Sequence, residues 1–163
     1  MRLFIAIQLS EEMKAALLES MHGLKKLGVK GRYVPGQNLH LTLAFLGECP
    51  DAAPAKAVLE QLKYKAFRLS FSQAGTFGDL LWIGLKGNQG LSALVRDLRA
   101  GLDQAGIEYD RKAFRPHITI VREMSGPWQK LPAPKGEMMV KKVSLMRSEI
   151  RDGKRVYTEL FAV

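Results

Sequence analysis

Only one cysteine, Cys49, occurs in the 163 residues. An intrachain disulfide and a thiolate metal cluster are therefore excluded. No stretch reaches the roughly 18 consecutive apolar residues that a membrane-spanning helix needs. The apolar opening MRLFIAIQLS is short and runs into Glu11 and Glu12 without a small-residue cleavage site. It reads as a first strand rather than a signal peptide, and the chain as cytoplasmic. No Gly-x-Ser-x-Gly elbow is present, which removes the usual serine-hydrolase arrangement. Acidic residues are also outnumbered: 25 Lys and Arg face 16 Asp and Glu, a net charge of +9. This balance favours an anionic partner, nucleic acid first. Lys25, Lys26, Lys30 and Arg32 form one basic cluster, and Arg111, Lys112 and Arg115 another.

What is present suffices for one core, since 47% of residues are hydrophobic. The length fits a single domain, 1–163, of two lobes. Arg2–Gln8 alternates, with Leu3, Ile5 and Ile7 on one face and Arg2, Phe4 and Ala6 on the other. Ser10 caps a helix carrying Met13, Ala16, Leu17, Met21 and Leu24, which stops near Gly28. A loop, GRYVPGQN, leads into LHLTLAFLG. The same order then repeats. Leu81, Ile83 and Leu85 alternate, GNQG turns, and Leu91, Leu94, Val95, Leu98, Leu102 and Ala105 mark a helix ended by Gly106. The basic loop DRKAFRP leads into His117-Ile-Thr-Ile-Val. The repeat lies in pattern rather than identity. A weaker helix is expected over Asp51–Lys63 and a strand over Phe67–Phe77. Met138–Ile150 and Arg155–Val163 read as a hairpin turning at Asp152–Gly153. The expected fold is α+β, with duplicated β-α-β units, each lobe a sheet with helices on its outer face.

Two of the three histidines sit at matching points of this repeat. On a strand, His40 and Thr42 share one face, and Leu39, Leu41, Leu43 and Phe45 the other. His117 and Thr119 likewise oppose Ile118 and Ile120. If a pseudo-two-fold axis relates the halves, two imidazoles and two hydroxyls converge across a groove. Imidazole exchanges protons near neutral pH, so a pair can divide acid and base work. The hydroxyls suit non-bridging phosphate oxygens, and an arginine suits their charge. Arg115 and Arg122 adjoin the second motif. Arg122 lies on the Ile118/Ile120 parity and reaches the groove only if the strand ends or bulges near Val121. A zinc site is a poor fit, because two histidines fall short of the usual three protein ligands. Sequence symmetry does not decide which histidine is acid and which base.

The segments HLTLAFLG and RPHITIVR, with LFIAI, YVPGQNLH, LWIGL, FRPH and LMRSE, resemble the two-histidine phosphoesterase superfamily. Within it, the chain is most similar to the RNA 2′,3′-cyclic phosphodiesterases formerly called 2′-5′ RNA ligases. Position 33, often tryptophan in that family, is tyrosine here. The resemblance implies two mainly antiparallel sheets facing across a central cleft with helices outside. It implies metal-independent, cofactor-free hydrolysis of an RNA or nucleotide 2′,3′-cyclic phosphate to a 2′-phosphate. His40 would be general acid, His117 general base, Thr42 and Thr119 phosphate ligands, and Arg122 an assistant. No membrane and no obligate protein partner are expected. Phe4 and Trp82, each one residue after an aliphatic, either flank the site and stack on bases or pack in a small second core. Tyr33 in the basic loop is another stacking candidate. An RNA-binding module and an RNA ligase would use the same groups.

Overall fold

The computed structural model describes all residues, 1–163. Nine strands and three helices follow in order. They are β1 (Arg2–Gln8), α1 (Glu11–Lys26), β2 (Lys30–Tyr33), β3 (His40–Glu48), α2 (Ala53–Gln61) and β4 (Phe67–Phe77). Then come β5 (Leu80–Leu85), α3 (Gln89–Gln104), β6 (His117–Ser125), β7 (Glu137–Val140), β8 (Ser144–Arg151) and β9 (Lys154–Ala162). No helix is long and apolar enough to cross a membrane.

The strands form two antiparallel sheets, ordered β3-β1-β8-β9 and β2-β6-β5-β4-β7. The duplication survives in three dimensions. Each motif strand pairs with the first strand of its own half, β3 with β1 and β6 with β5, and β8 and β4 occupy the next positions. Ile7 lies opposite Leu41 as Ile83 lies opposite Ile118. Helix starts follow local chemistry: Ser10 Oγ accepts from Met13 N–H at 3.2 Å, and Asn88 Oδ1 accepts from Leu91 N–H at 2.7 Å. The two lobes share one hydrophobic core that includes Leu3, Ile5, Ile7 and Leu41 together with Leu81, Ile83, Ile118 and Ile120. The start of α1 is fastened across the lobes, where Ser10 N–H meets Met138 Sδ of β7 at 3.4 Å.

Two segments depart from expectation. The stretch expected as a loop before the first motif contains β2, and a 3-10 turn at Gly36–Asn38 follows it. The residues of β2, KGRY, are mostly exposed and carry no apolar alternation. The strand exists because β6 offers an open edge, with Tyr33 opposite Val121. The expected strand Met138–Ile150 is broken at Lys141–Val143, and its two pieces belong to different sheets. Val143 and Val163 exchange both backbone hydrogen bonds at 2.9 Å, which starts the β8–β9 pairing anew. The hairpin itself turns at Asp152 and Gly153, both with positive φ (51° and 75°), as a two-residue turn between twisted strands requires.

Leu41 is fully buried on the core face of β3. Leu41→Ala is expected to cost about 2–5 kcal/mol, read in urea as a lower midpoint with an unchanged slope.

Candidate active site

The two motif strands share a burial sequence over their first six residues: partly exposed, buried, partly exposed, buried, buried, exposed. The first four follow strand alternation and turn His40, Thr42, His117 and Thr119 away from the core. The doubled buried pair, Leu43–Ala44 and Ile120–Val121, breaks the alternation. In β3 two steps from Thr42 to Ala44 oppose a single step on β1, and in β6 two steps from Thr119 to Val121 oppose a single step on β5. Both are β-bulges, and each reverses the parity beyond it. The exposed residue five places after each histidine thus joins the histidine's face. In the second half it is Arg122, so the bulge needed for Arg122 to reach the groove is present. In the first half it is Phe45, which is 51% exposed. One motif therefore offers a cation where its twin offers an aromatic ring.

Both imidazoles are held alike. His40 Nδ1 lies 2.7 Å from the carbonyl oxygen of Asn38, and His117 Nδ1 lies 2.6 Å from that of Arg115. A carbonyl can only accept, so Nδ1 carries the hydrogen in each, and Nε2 is left for chemistry. His40 Nε2 also lies 2.8 Å from Thr42 Oγ1, whose hydroxyl donates when the ring is neutral. β3 and β6 approach each other where the sheets meet. Burial lowers the His40 pKa; the Asn38 contact opposes this, while the charges of Arg122 and His117 reinforce it. Groups from both halves thus act on one imidazole.

Aromatic rings wall both histidines. His40 stands 5.0 Å from Phe4 and 5.2 Å edge-on to Tyr157, centroid to centroid. His117 stands 5.1 Å edge-on to Phe77 and 6.0 Å from Trp82. Phe4 and Trp82 both flank the site but differ in setting. Phe4 is 3% exposed and packs with Ala6, Met146 and Tyr157, so it supports the imidazole from below. Nor are the two equivalent by register: Trp82 opposes Thr119, and the residue opposing Thr42 is Ala6. Although each follows an aliphatic residue, Phe4 therefore sits one pleat away from the position that matches Trp82. Trp82 lies flat over Gly75, where a methyl group would collide with the indole.

The remaining candidates separate. Arg115 contributes its carbonyl to His117, and its side chain is exposed. Tyr33 packs against the core, and its hydroxyl donates to Val29 O at 2.7 Å. Its neighbour Arg32 is the residue opposite Arg122, on that residue's face of the sheet. No three His, Cys, Asp or Glu side chains lie together as metal ligands would. Tyr157, Phe77 and Asn38 escaped sequence reading, and Phe45, expected on the core face with Leu41 and Leu43, is turned to the histidine's face by the bulge. Tyr157 and Phe77 arrive on other strands. Beside His40 lies a nook of about 80 Å³ that includes Gln8, Asn38, Tyr157 and Glu159. Glu159 is held ionised by Lys142 and Ser144, which lower its pKa, and Gln8 donates to it at 2.9 Å.

A family model for the 2′-5′ RNA ligase superfamily matches residues 12–151, and the chain belongs to that superfamily. It is 34% identical to an RNA 2′,3′-cyclic phosphodiesterase of Thermus thermophilus, over 98% of this chain and 88% of that protein. It is 31% identical to the Escherichia coli protein of the same name, over 98% and 93%. A Geobacillus stearothermophilus protein of that name, 31% identical, is longer; this chain spans about half of it (52%). Apo E. coli LigT superposes with a TM-score of 0.83 at 31% identity, over 99% of this chain and 95% of that one. LigT complexed with 3′-AMP gives 0.81 at 32%, over 99% and 95%.

The lowered pKa has a defined consequence. In NMR titration of the unliganded protein, the His40 ring should protonate below the ordinary value of 6.5. Its folded-state pKa lies below the unfolded one, so stability contributed by neutral His40 is complete above about 6.5 and is lost as pH falls from there toward the folded value. His40→Ala should flatten that part of the stability profile.

Proposed function

We propose that the chain is an RNA 2′,3′-cyclic phosphodiesterase, hydrolysing a terminal cyclic phosphate to a 2′-phosphate in the cleft between the sheets. The observation that carries this is the pair of imidazoles anchored the same way, each with Nδ1 on a backbone carbonyl, which leaves Nε2 as the nitrogen that exchanges protons; on His40 that Nε2 meets the hydroxyl of its own motif, Thr42. Membership of the superfamily and the curated names of its relatives support the same reaction. The Geobacillus relative extends well beyond the length matched here, so its full range of activities is not carried over.

In this reading His117 Nε2 removes a proton from water as its oxygen attacks phosphorus. The bond from phosphorus to O3′ breaks, and protonated His40 Nε2 gives its proton to O3′. One water is consumed, and the phosphate stays on O2′. In-line displacement needs the two groups on opposite sides of phosphorus, which two facing lobes supply. Thr42 and Thr119 hold non-bridging oxygens, and Arg122 offsets the charge gathering on them. Burial disfavours the proton on His40 in the empty cleft, so the acid role relies on the anionic phosphate to restore it. The opposite assignment, His40 as base, is the second reading that this lowered pKa favours.

With EDTA present, wild-type protein should open a terminal cyclic phosphate, and His40→Ala or His117→Ala should lower kcat by about 10²–10⁴-fold. Full activity in both variants, or none in the wild type, defeats the proposal. A p-nitrophenyl phosphodiester separates the two assignments. Its leaving group needs no proton, so the variant lacking the acid should recover most of its rate and the variant lacking the base should not. Arg122→Ala should lower kcat by about 10²-fold, with a smaller effect on KM.

A further inference from the structure

The face of the first sheet that carries His40 continues well past the imidazole. On β1, Arg2 and Phe4 share this face. Arg2 lies opposite Ser148 of β8, which in turn lies opposite Tyr157 of β9. One pleat further, Ile150 pairs with Arg155. Tyr157 touches the His40 ring, so these residues form one strip beginning at the imidazole.

The chemistry of the strip is uneven in an informative way. Phe45 and Ile150 are 51% and 59% exposed, among the few large apolar side chains left uncovered. Arg155 is exposed, and its guanidinium meets only a neutral partner, Ser148 Oγ at 3.0 Å. Arg2 is exposed too. The acids nearby already have cationic partners: Glu48, opposite Arg2 on β3, meets the Met1 ammonium at 3.4 Å, Glu149 bridges Arg147 and Arg151, and Glu159 bridges Lys142. Open aromatic and aliphatic groups interleaved with free guanidinium groups are what a single strand of nucleic acid requires, since bases stack and phosphates need cations.

Reaction geometry points the same way. The leaving O3′ remains attached to the terminal ribose. If His40 protonates O3′, the ribose and the chain 5′ to it lie on His40's side of the phosphorus, over the first sheet.

We propose that this face, from Tyr157 to Arg155 and Arg2, is the track that holds the nucleotides immediately 5′ of the cyclic end. Arg155 and Arg2 take their phosphates, and Tyr157 and Phe45 stack on their bases. The proposal rests on the phosphodiesterase reading for its orientation, and its test separates the two.

The test compares cytidine 2′,3′-cyclic phosphate with a tetraribonucleotide ending in the same group, using wild type, Arg155→Glu, Arg2→Glu and Arg155→Lys. A labelled tetraribonucleotide ending in a 2′-phosphate, which does not turn over, reports binding by anisotropy. Each charge reversal should raise the tetranucleotide KM and Kd by about tenfold and flatten the salt dependence of log Kd by about 0.7 per lost contact. The mononucleotide constants should stay within about twofold, and Arg155→Lys should retain most of the binding. Unchanged tetranucleotide binding, or equal losses on both substrates, overturns the track. If wild type opens neither substrate but the reversals still release the tetranucleotide, the phosphodiesterase reading fails and the track stands.

Discussion

Burial of Leu41 and Ile118 sets the direction of His40 and His117. A strand has two faces, and these apolar neighbours can reach the shared core only if the histidines turn away from it. Slipping either strand by one residue would send the imidazole into the core and the aliphatic side chain into water. The energy that fixes the candidate site therefore comes mostly from side chains that never touch a substrate. The hydrogen bonds from Nδ1 to the carbonyls of Asn38 and Arg115 then choose the tautomer, and both choose the same one.

Symmetry supplies the two imidazoles, and departures from symmetry separate their surroundings. Equivalent bulges place Phe45 and Arg122 at the same point of their halves. The first half thus presents aromatic surface beside a desolvated histidine, and the second presents a guanidinium. The seam between the lobes therefore carries charge on one side and aromatic surface on the other. The lobes cannot slide apart to lose this arrangement cheaply, because one core runs beneath both sheets and α1 reaches across to β7.

Much of this was legible in the chain. Period-two alternation marked β1, β3, β5 and β6, helical spacing marked α1 and α3, and repetition of His-x-Thr marked the pair. The strand β2 was not legible, because KGRY carries no alternation and is ordered only by the edge of β6. Lys141–Val143 was not legible as a break, because the sheet that each flanking piece joins is chosen by distant partners, β4 for one and β9 for the other. Tyr33 misled for a related reason: in β2 it faces the core, and Arg32 beside it takes the face of Arg122.

By itself, then, the sequence determined which residues share a face up to the bulges, as with His40 and Thr42 or His117 and Thr119, and that the halves are copies, since both follow from local periodicity in the covalent chain. Register between strands is a property of two segments together. Only the tertiary structure could decide the bulges after Thr42 and Thr119, the turn of Arg122 toward the groove, and the exchange of Ala6 for Phe4 as the counterpart of Trp82. The same holds for the aromatic wall: Tyr157 is 117 positions from His40 in the chain, yet it stands against its ring because β9 closes the sheet that β3 opens.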